Sequence, residues 1–136
     1  MSSPESTSTE AHLETVRAAV DAFNRRDVEA MRALGGEDFV YDWSRSMAPN
    51  RGIYRGTRGF LEFAEEQWDM FSEMGIEPEE LIPRGNHVVV PITVRARGRG
   101  DIPVSANSAM VYTFEGERLV RITLYQGREE ALAAAG

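Results

Sequence analysis

The second half of the sequence most strongly constrains the fold, because four strand-like segments follow one another with only short turns between them. Turn-forming glycines and polar residues separate the segments, and short turns join consecutive strands in antiparallel fashion. This half of the chain therefore predicts an antiparallel meander, whose strands occupy residues 76–83, 87–97, 102–114 and 118–126.

Helical patterns dominate the first half of the chain. Apolar residues recur at helical spacing over residues 9–25, over a short segment that Asp27 caps, and over residues 58–72 after Thr57. A short strand at 39–43 precedes a loop at 44–53, which Tyr54, Arg55 and Gly56 end, and residues 128–135 suggest a terminal helix or a frayed tail. Helices followed by a meander predict an α+β fold with the helices on one face of the sheet. We expect a disordered tail at 1–8 and a single domain at 9–136.

Composition argues against several classes of partner. The chain of 136 residues has no cysteine and a formal net charge of −7, a sign that disfavours nucleic acid and anionic lipid as partners. The first residues lack a signal-peptide pattern, and no apolar run approaches a bilayer span, so a cytoplasmic protein is expected. Neither histidine has ligand-like spacing to other residues, so we predict no metal and no cofactor.

Five segments, spread over nearly the whole chain after residue 11, carry a resemblance to a known superfamily. They read AFNRRDVEAM at 22–31, VYDWS at 40–44, IYRGTRGF at 53–60, EPEELIPRGNHVVV at 77–90 and VYTFEGERLVRITLYQGREEAL at 111–132. In this order they resemble the nuclear transport factor 2-like superfamily, and more narrowly the SnoaL-like domains with the ketosteroid isomerase-like fold. The resemblance implies a conical barrel of curved antiparallel sheet with three N-terminal-half helices on its concave face. It also implies frequent pairing of such domains through the sheet.

Asp42 is the candidate catalytic residue. It lies between Tyr41 and Trp43 in an otherwise apolar strand, where burial would raise its pKa and make it a usable general base. The resemblance supports this role, because isomerase-like members carry their base near this end of the first strand. Alternation allows the opposite arrangement, in which the aromatic residues face inward and Asp42 faces water.

The remaining machinery of known relatives does not carry over. The positions that match the hydrogen-bond donors of the isomerases are Ala19 and Met110, neither of which has a donor side chain. The late-strand aspartate of the SnoaL-like cyclases has no counterpart in residues 118–126. An epoxide hydrolase-like set of Asp42, Arg95 and Asp101 is conceivable only if two charges near a solvated hairpin turn inward.

Alternation on the strands and the apolar faces of the helices give a set of candidate ligand-binding residues. These side chains would form an apolar wall with polar tips, suited to a ring-shaped or lipid-like molecule. Each of them is equally compatible with an ordinary core position. The set comprises Phe23, Tyr54, Phe63, Trp68, Ser108, Met110, Tyr112 and Gln126.

Three functions remain open from the sequence. The first is a small-molecule-binding domain with an apolar pocket. The second is a cofactor-independent isomerase, cyclase or hydrolase that uses Asp42 on an already acidic substrate such as a β-dicarbonyl. The third is a dimeric assembly module. We expect a homodimer through an uncharged patch on the outer face of the meander, formed by Val89, Pro91, Thr93, Asn107, Ala109, Val111 and Thr123.

Overall fold

The computed structural model describes residues 4–34, 37–45, 52–98, 100 and 102–136, and the side chains from residue 9 onward. The predicted residue Asp101 lies outside these ranges. The helices in the described part of the chain are α1 (Pro4–Asn24), α2 (Val28–Arg32), α3 (Gly56–Met70) and α4 (Arg128–Ala134). The strands are β1 (Val40–Asp42), β2 (Ile53–Arg55), β3 (Glu73–Pro78), β4 (Ile82–Arg84), β5 (His87–Arg97), β6 (Pro103–Glu115) and β7 (Arg118–Tyr125).

The predicted α+β architecture is confirmed. The strands form one mixed sheet in the order β2-β1-β7-β6-β5-β3, and β4 pairs with β5 beside β3. The sheet is strongly curved but does not close within the described ranges. Helices α1 and α3 pack on its concave face, and the contacts of α4 are with β5, β6 and β7 on the other face.

The meander of β5, β6 and β7 is antiparallel, as the short turns predict. The β4–β5 and β6–β7 turns contain Gly85 and Gly116 at positive φ, a conformation that favours glycine. The predicted strand at 76–83 is divided, because the chain leaves the sheet after Pro78 and returns at Ile82 to pair farther along the same neighbour, β5.

Two elements of the first half differ from the sequence-based expectation. Ile53–Arg55, expected to lie in a loop, forms β2 and pairs with β1. Strand β1 also pairs in parallel with β7. The pattern of short turns does not predict this pairing, because the two strands lie far apart in the sequence.

The helix boundaries follow local chemistry where a cap exists. The Asp27 carboxylate accepts a hydrogen bond from the backbone N–H of Ala30 at 3.1 Å and caps α2, as predicted. Helix α3 begins at Gly56, and Arg55 rather than Thr57 occupies its N-cap position. Helix α1 begins at Pro4, five residues before the predicted start; the division into 1–8 and 9–136 stays a prediction.

Candidate functional site

The concave face of the sheet is apolar and aromatic. Alternation along β6 turns Met110 and Tyr112 toward the helices, and β7 and β1 add Ile122 and Tyr41 to the same face. All four side chains are buried. The predicted assignment of the bulkier β6 residues to the helix side is therefore correct.

Helix α3 supplies the opposite wall through one face of its cylinder. Phe60, Phe63, Ala64 and Gln67 recur at helical spacing and are buried. Phe63 is the centre of an aromatic cluster: its ring centroid lies 4.7 Å from that of Tyr41, 4.5 Å from Trp43 and 5.2 Å from Tyr54.

Between these walls lies a cavity of about 10 Å³, which is room for roughly one water molecule. The lining is apolar apart from two tyrosine hydroxyls. It consists of Ala19, Val20, Phe23, Tyr41, Phe60, Ile76, Met110, Tyr112 and Ile122.

Tyr41 and Tyr112 bring the two hydroxyls into the interior. Desolvation by burial raises the pKa of both phenols well above the ordinary value of tyrosine. For Tyr41 the nearby Tyr112 raises the pKa further, whereas the indole N–H of Trp43 acts to lower it. Both hydroxyls therefore remain protonated at neutral pH, and that of Tyr112 donates to the sulfur of Met110 at 3.7 Å.

The same interior holds side-chain N–H groups that lack a hydrogen-bond partner. In the described part of the chain, these buried atoms are Trp43 Nε1, Gln67 Nε2 and Trp68 Nε1. Trp43 Nε1 acts to lower the pKa of Tyr41, but the two side chains do not have the geometry of a hydrogen bond. Such groups are uncommon in folded proteins, since burial without a partner costs free energy.

Asp42 lies on the opposite face of the sheet. Its carboxylate accepts hydrogen bonds from Ser44 Oγ at 2.6 Å, Ser44 N at 3.0 Å and an Nη atom of Arg121 at 2.6 Å. Tyr41 and Trp43 on either side of it face the core, so the alternation that sends aromatic residues inward sends Asp42 outward.

The expected rise in the pKa of Asp42 is wrong. Desolvation is the largest single influence and acts to raise the pKa, but the hydrogen bonds from Ser44 and the hydrogen bond and charge of Arg121 together lower it. The side chain is only 10% exposed, yet the carboxylate is fully partnered. A partnered carboxylate of lowered pKa is a weaker base than the sequence-based hypothesis requires.

The other predicted ligand-binding residues divide into two groups. Phe23, Met110 and Tyr112 line the cavity, and Phe63 packs beside it. The remaining four lie farther out. Tyr54 donates its hydroxyl to Glu66 at 3.2 Å, Trp68 is half-buried against Phe23, Ser108 is half-exposed, and Gln126 is exposed and donates to the Arg45 carbonyl.

Sequence reasoning missed Tyr41, Gln67 and Arg121. Alternation places Tyr41 on the same face as Trp43, and Gln67 follows Phe63 by four residues on a helix. Both residues could therefore have been found from the sequence. Arg121 depends on the parallel pairing of β1 with β7, which brings distant segments together and leaves no local signal.

The arginine of the epoxide hydrolase-like set and the histidine of α1 both have other partners. Arg95 is exposed and ion-pairs with Glu77 at 3.1 Å on β5 and β3, three strands away from Asp42 in the sheet order, so the hydrolase-like set is not assembled. His12 is buried against Phe114, with its Nε2 2.6 Å from the Gly116 carbonyl oxygen. Within the described ranges, no group of three His, Asp or Glu side chains is placed to hold a metal ion.

Most of the predicted dimer patch is covered within one chain, whereas Thr93 is partly exposed and Asn107 is exposed. Val89, Pro91, Ala109, Val111 and Thr123 are all buried. Ala131 of α4 packs into a cluster with Ile82, Val89, Ala109 and Val111. The sequence pattern correctly indicated an uncharged outer face, but the assignment to a free surface is wrong for the five buried residues, and the homodimer stays a prediction.

Solved structures share this fold. An NTF2-like protein of unknown function from Burkholderia pseudomallei is 25% identical with a TM-score of 0.77, over 90% of this chain and 95% of that chain. TerC, co-crystallised with polyporic acid, is 19% identical with a TM-score of 0.76, over 92% and 97%. A protein with a ketosteroid isomerase-like fold from Catenulispora acidiphila, in complex with trimethylamine, is 18% identical with a TM-score of 0.73, over 90% and 92%.

Comparison at the level of sequence gives a consistent assignment. No curated protein matches the chain significantly. In the described ranges, no helix is both long and apolar enough to cross a membrane. The family model of the SnoaL-like domain matches residues 16–122, which is most of the chain and includes both walls of the cavity. The chain belongs to the SnoaL-like domain family.

Proposed function

We propose that this chain is a binding domain for a small, largely apolar, ring-containing molecule, held between α1, α3 and the concave face of the sheet. The observation that carries the proposal is the convergence of flat aromatic side chains and two neutral tyrosine hydroxyls on one interior cavity. Aromatic walls with few polar groups are typical of sites for small organic molecules. Two neighbours of the same fold, TerC and the Catenulispora protein, were crystallised with small molecules.

The cavity in the free protein is smaller than any ring, so binding requires side chains to move. Met110 lines the cavity and has an unbranched side chain that adopts several shapes at little cost. The ligand thus stabilises a more open interior than the free protein shows.

Binding without catalysis is the reading that the geometry favours. In the described ranges, the buried polar or charged residues are His12, Asp42, Gln67 and Thr123. The one carboxylate among them, Asp42, lies on the far face of the sheet beside Arg121. Asp42 as the base of an isomerase, cyclase or hydrolase stays a prediction, as does a cytoplasmic location.

The binding proposal is tested by filling the cavity from α1. Ala19 lines the cavity, whereas its neighbour Ala18 is exposed on the same helix. We expect Ala19→Leu to weaken binding of a two-ring probe such as 1-tetralone by about ten-fold or more, as overpacking leaves no room for it. Calorimetric titration measures the affinity, and circular dichroism confirms that the variant is folded.

Ala18→Leu is the matched control, because it adds the same atoms outside the cavity. It should bind the probe as the wild type does. Equal affinity in wild type and Ala19→Leu, or equal loss in both variants, contradicts an interior site.

We also propose a homodimer through the sheet, at a part of β6 that the other described strands leave open on one edge. Pairing of β6 with β7 ends at Ala109 and Tyr125, so the described strands cover only one edge of residues 103–108. This segment is uncharged, its residue Val104 is 46% exposed, and the adjoining Ile102 is 63% exposed. Free edges of this kind pair readily with another strand.

The cysteine-free sequence permits a clean test of this dimer. In a two-fold antiparallel pair, a single cysteine at Ser105 should oxidise to a disulfide-linked dimer, and Val104→Lys should weaken association in sedimentation. A monomer at all accessible concentrations, with no cross-linking of Ser105→Cys, contradicts the proposal.

A further inference from the structure

The cavity comes closest to solvent at the seam between α1 and β3. Among the residues that line it, Val20 of α1 and Ile76 of β3 are the most exposed, at 7% and 6%, and every other lining residue is 4% exposed or less. Helix α1 contributes Ala19 and Phe23 to the same wall. The cavity is therefore least deeply enclosed where the end of α1 meets β3.

Strand β3 is the part of the sheet wall that has the fewest strand partners. In the described ranges it pairs with β5 alone, so it is an edge strand. The strands that carry Tyr41, Met110 and Ile122 lie inside the sheet order, with a paired strand on each side. Separation of α1 from β3 therefore opens the cavity without breaking the pairing of these inner strands.

One side chain closes this seam. Asn24, the last residue of α1, donates from Nδ2 to the Ile76 carbonyl oxygen at 2.9 Å and accepts from the Ile76 N–H at its Oδ1 at 2.8 Å. The amide thus takes the place of a neighbouring strand at the one β3 residue that lines the cavity. Asn24 is itself exposed, so water replaces both hydrogen bonds when they break.

The turn after α1 adds a second polar contact across the seam. Arg26 has a φ of 55°, in the left-handed region that a residue with a Cβ adopts at a cost. Its guanidinium lies 5.5 Å from the centroid of the Trp68 ring and donates to the carbonyl oxygen of Ser72, just before β3, at 3.5 Å. Polar contacts at the surface thus hold the end of α1 to β3, and such contacts open more readily than buried apolar packing.

From this arrangement we infer that the seam between α1 and β3 is the entrance of the binding cavity and that Asn24 is its latch. The inference rests on the proposed function and adds the route by which the ligand enters and leaves. Release of the two Asn24 hydrogen bonds frees the end of α1 from the edge strand and opens the cavity between Val20 and Ile76. The latch closes again over the bound molecule, so it controls the rates of entry and exit more than the affinity.

The test measures the binding kinetics of 1-tetralone in the wild type and in Asn24→Ala. Loss of the latch should raise the association and dissociation rate constants together by about ten-fold, the order of effect that two hydrogen bonds give. The dissociation constant should stay within about three-fold of that of the wild type, whereas a purely structural role for Asn24 would not raise both rates in parallel. Stopped-flow recording of tryptophan fluorescence gives both rate constants, because the Trp68 ring lies 6.0 Å from that of the cavity-lining Phe23.

Asn24→Asp is a milder second variant, should Asn24→Ala not fold. At neutral pH its carboxylate still accepts from the Ile76 N–H but has no hydrogen to donate to the Ile76 carbonyl, so both rates should rise by about three-fold. Asn86→Ala is the matched control: Asn86 Nδ2 donates to the Phe114 carbonyl oxygen at 3.2 Å, and neither of these residues lines the cavity. Both rate constants of this control should equal those of the wild type, and circular dichroism shows which variants are folded.

The outcomes separate the inference from the function beneath it. Unchanged rates in the folded Asn24 variants, or an equal rise in Asn86→Ala, overturn the inference and leave the binding function standing. A loss of affinity without faster association also overturns it, because Asn24 then supports the cavity rather than its entrance. Failure of 1-tetralone to bind the wild type overturns the proposed function itself.

Discussion

Buried polar groups on the two faces of the sheet differ in whether their hydrogen-bonding atoms have partners. On the outer face, Asp42 is almost enclosed, yet each of its oxygens has a partner in Ser44 or Arg121. On the inner face, Gln67 and Trp43 are enclosed at least as fully, and their N–H groups have no partner. Burial is similar on both faces, so burial alone does not distinguish a structural polar group from a functional one.

What distinguishes them is hydrogen-bond balance. The outer group is an acceptor matched by donors, which adds to stability, whereas the inner group is a surplus of donors, which subtracts from it. A fold retains such a surplus most readily where a molecule from outside supplies the acceptor. The buried amide of Gln67 is therefore a stronger candidate for a functional group than the buried carboxylate of Asp42.

The largest expected effect comes from disrupting the inner face. Phe63 is 1% exposed and contacts three aromatic rings, so Phe63→Ala should lower the free energy of unfolding by about 3–5 kcal/mol. Val111→Ala on the outer face should cost less, because the smaller side chain leaves a smaller void beneath α4. Urea denaturation measures both variants, and an equal loss would mean that the two faces contribute alike.

A smaller effect is expected from the outer-face carboxylate. Asp42→Asn should cost about 1–2 kcal/mol at neutral pH, because it removes charge-assisted hydrogen bonds to a partly exposed arginine. Since folding lowers the pKa of Asp42, its contribution is fully present above the ordinary value of 3.8 and is lost as the pH falls through the lowered value. The difference between wild type and variant should therefore shrink below about pH 4.

Asp38→Asn is the control for this series, because that carboxylate is exposed and lies 3.9 Å from Arg118. Its effect should stay within about 0.5 kcal/mol at every pH.

The same Asp42→Asn protein tests catalysis: ligand affinity should stay within a few-fold. If the chain turns over a substrate with Asp42 as the base, the rate should fall by about 10²–10⁴. Unchanged turnover would remove Asp42 from the chemistry.

Much of the fold could be predicted from the sequence, because it depends on local patterns. The turns at Gly85 and Gly116 and the alternation along β6 determine the meander and its inner face. The cap at Asp27 fixes the start of α2. Each of these features rests on neighbours within a few residues.

The chemistry of the site could not be predicted in the same way, because it depends on contacts between distant segments. Whether Asp42 is a free base or a structural anion depends on Arg121, 79 residues away. The burial of the outer patch depends on Ala131 of α4, a short helix that the sequence predicted only as a helix or a frayed tail. Whether Gln67 Nε2 has a hydrogen-bond partner depends on all the side chains that pack around it, and these come from several segments of the chain.

The smallest expected effect concerns the attachment of α4 to the outer face. Arg128 ion-pairs with Glu80 at 3.2 Å, but both side chains are about half exposed, and Arg128 lies in the first turn of α4, where the helix dipole disfavours a cation. Arg128→Ala should therefore change the free energy of unfolding by no more than about 0.5 kcal/mol. Hydrogen exchange of the α4 amides should stay nearly unchanged, since Ala131 remains buried. A larger loss of protection, reproduced in the wild type by high salt, would mean that charge rather than apolar contact holds the cover on this face.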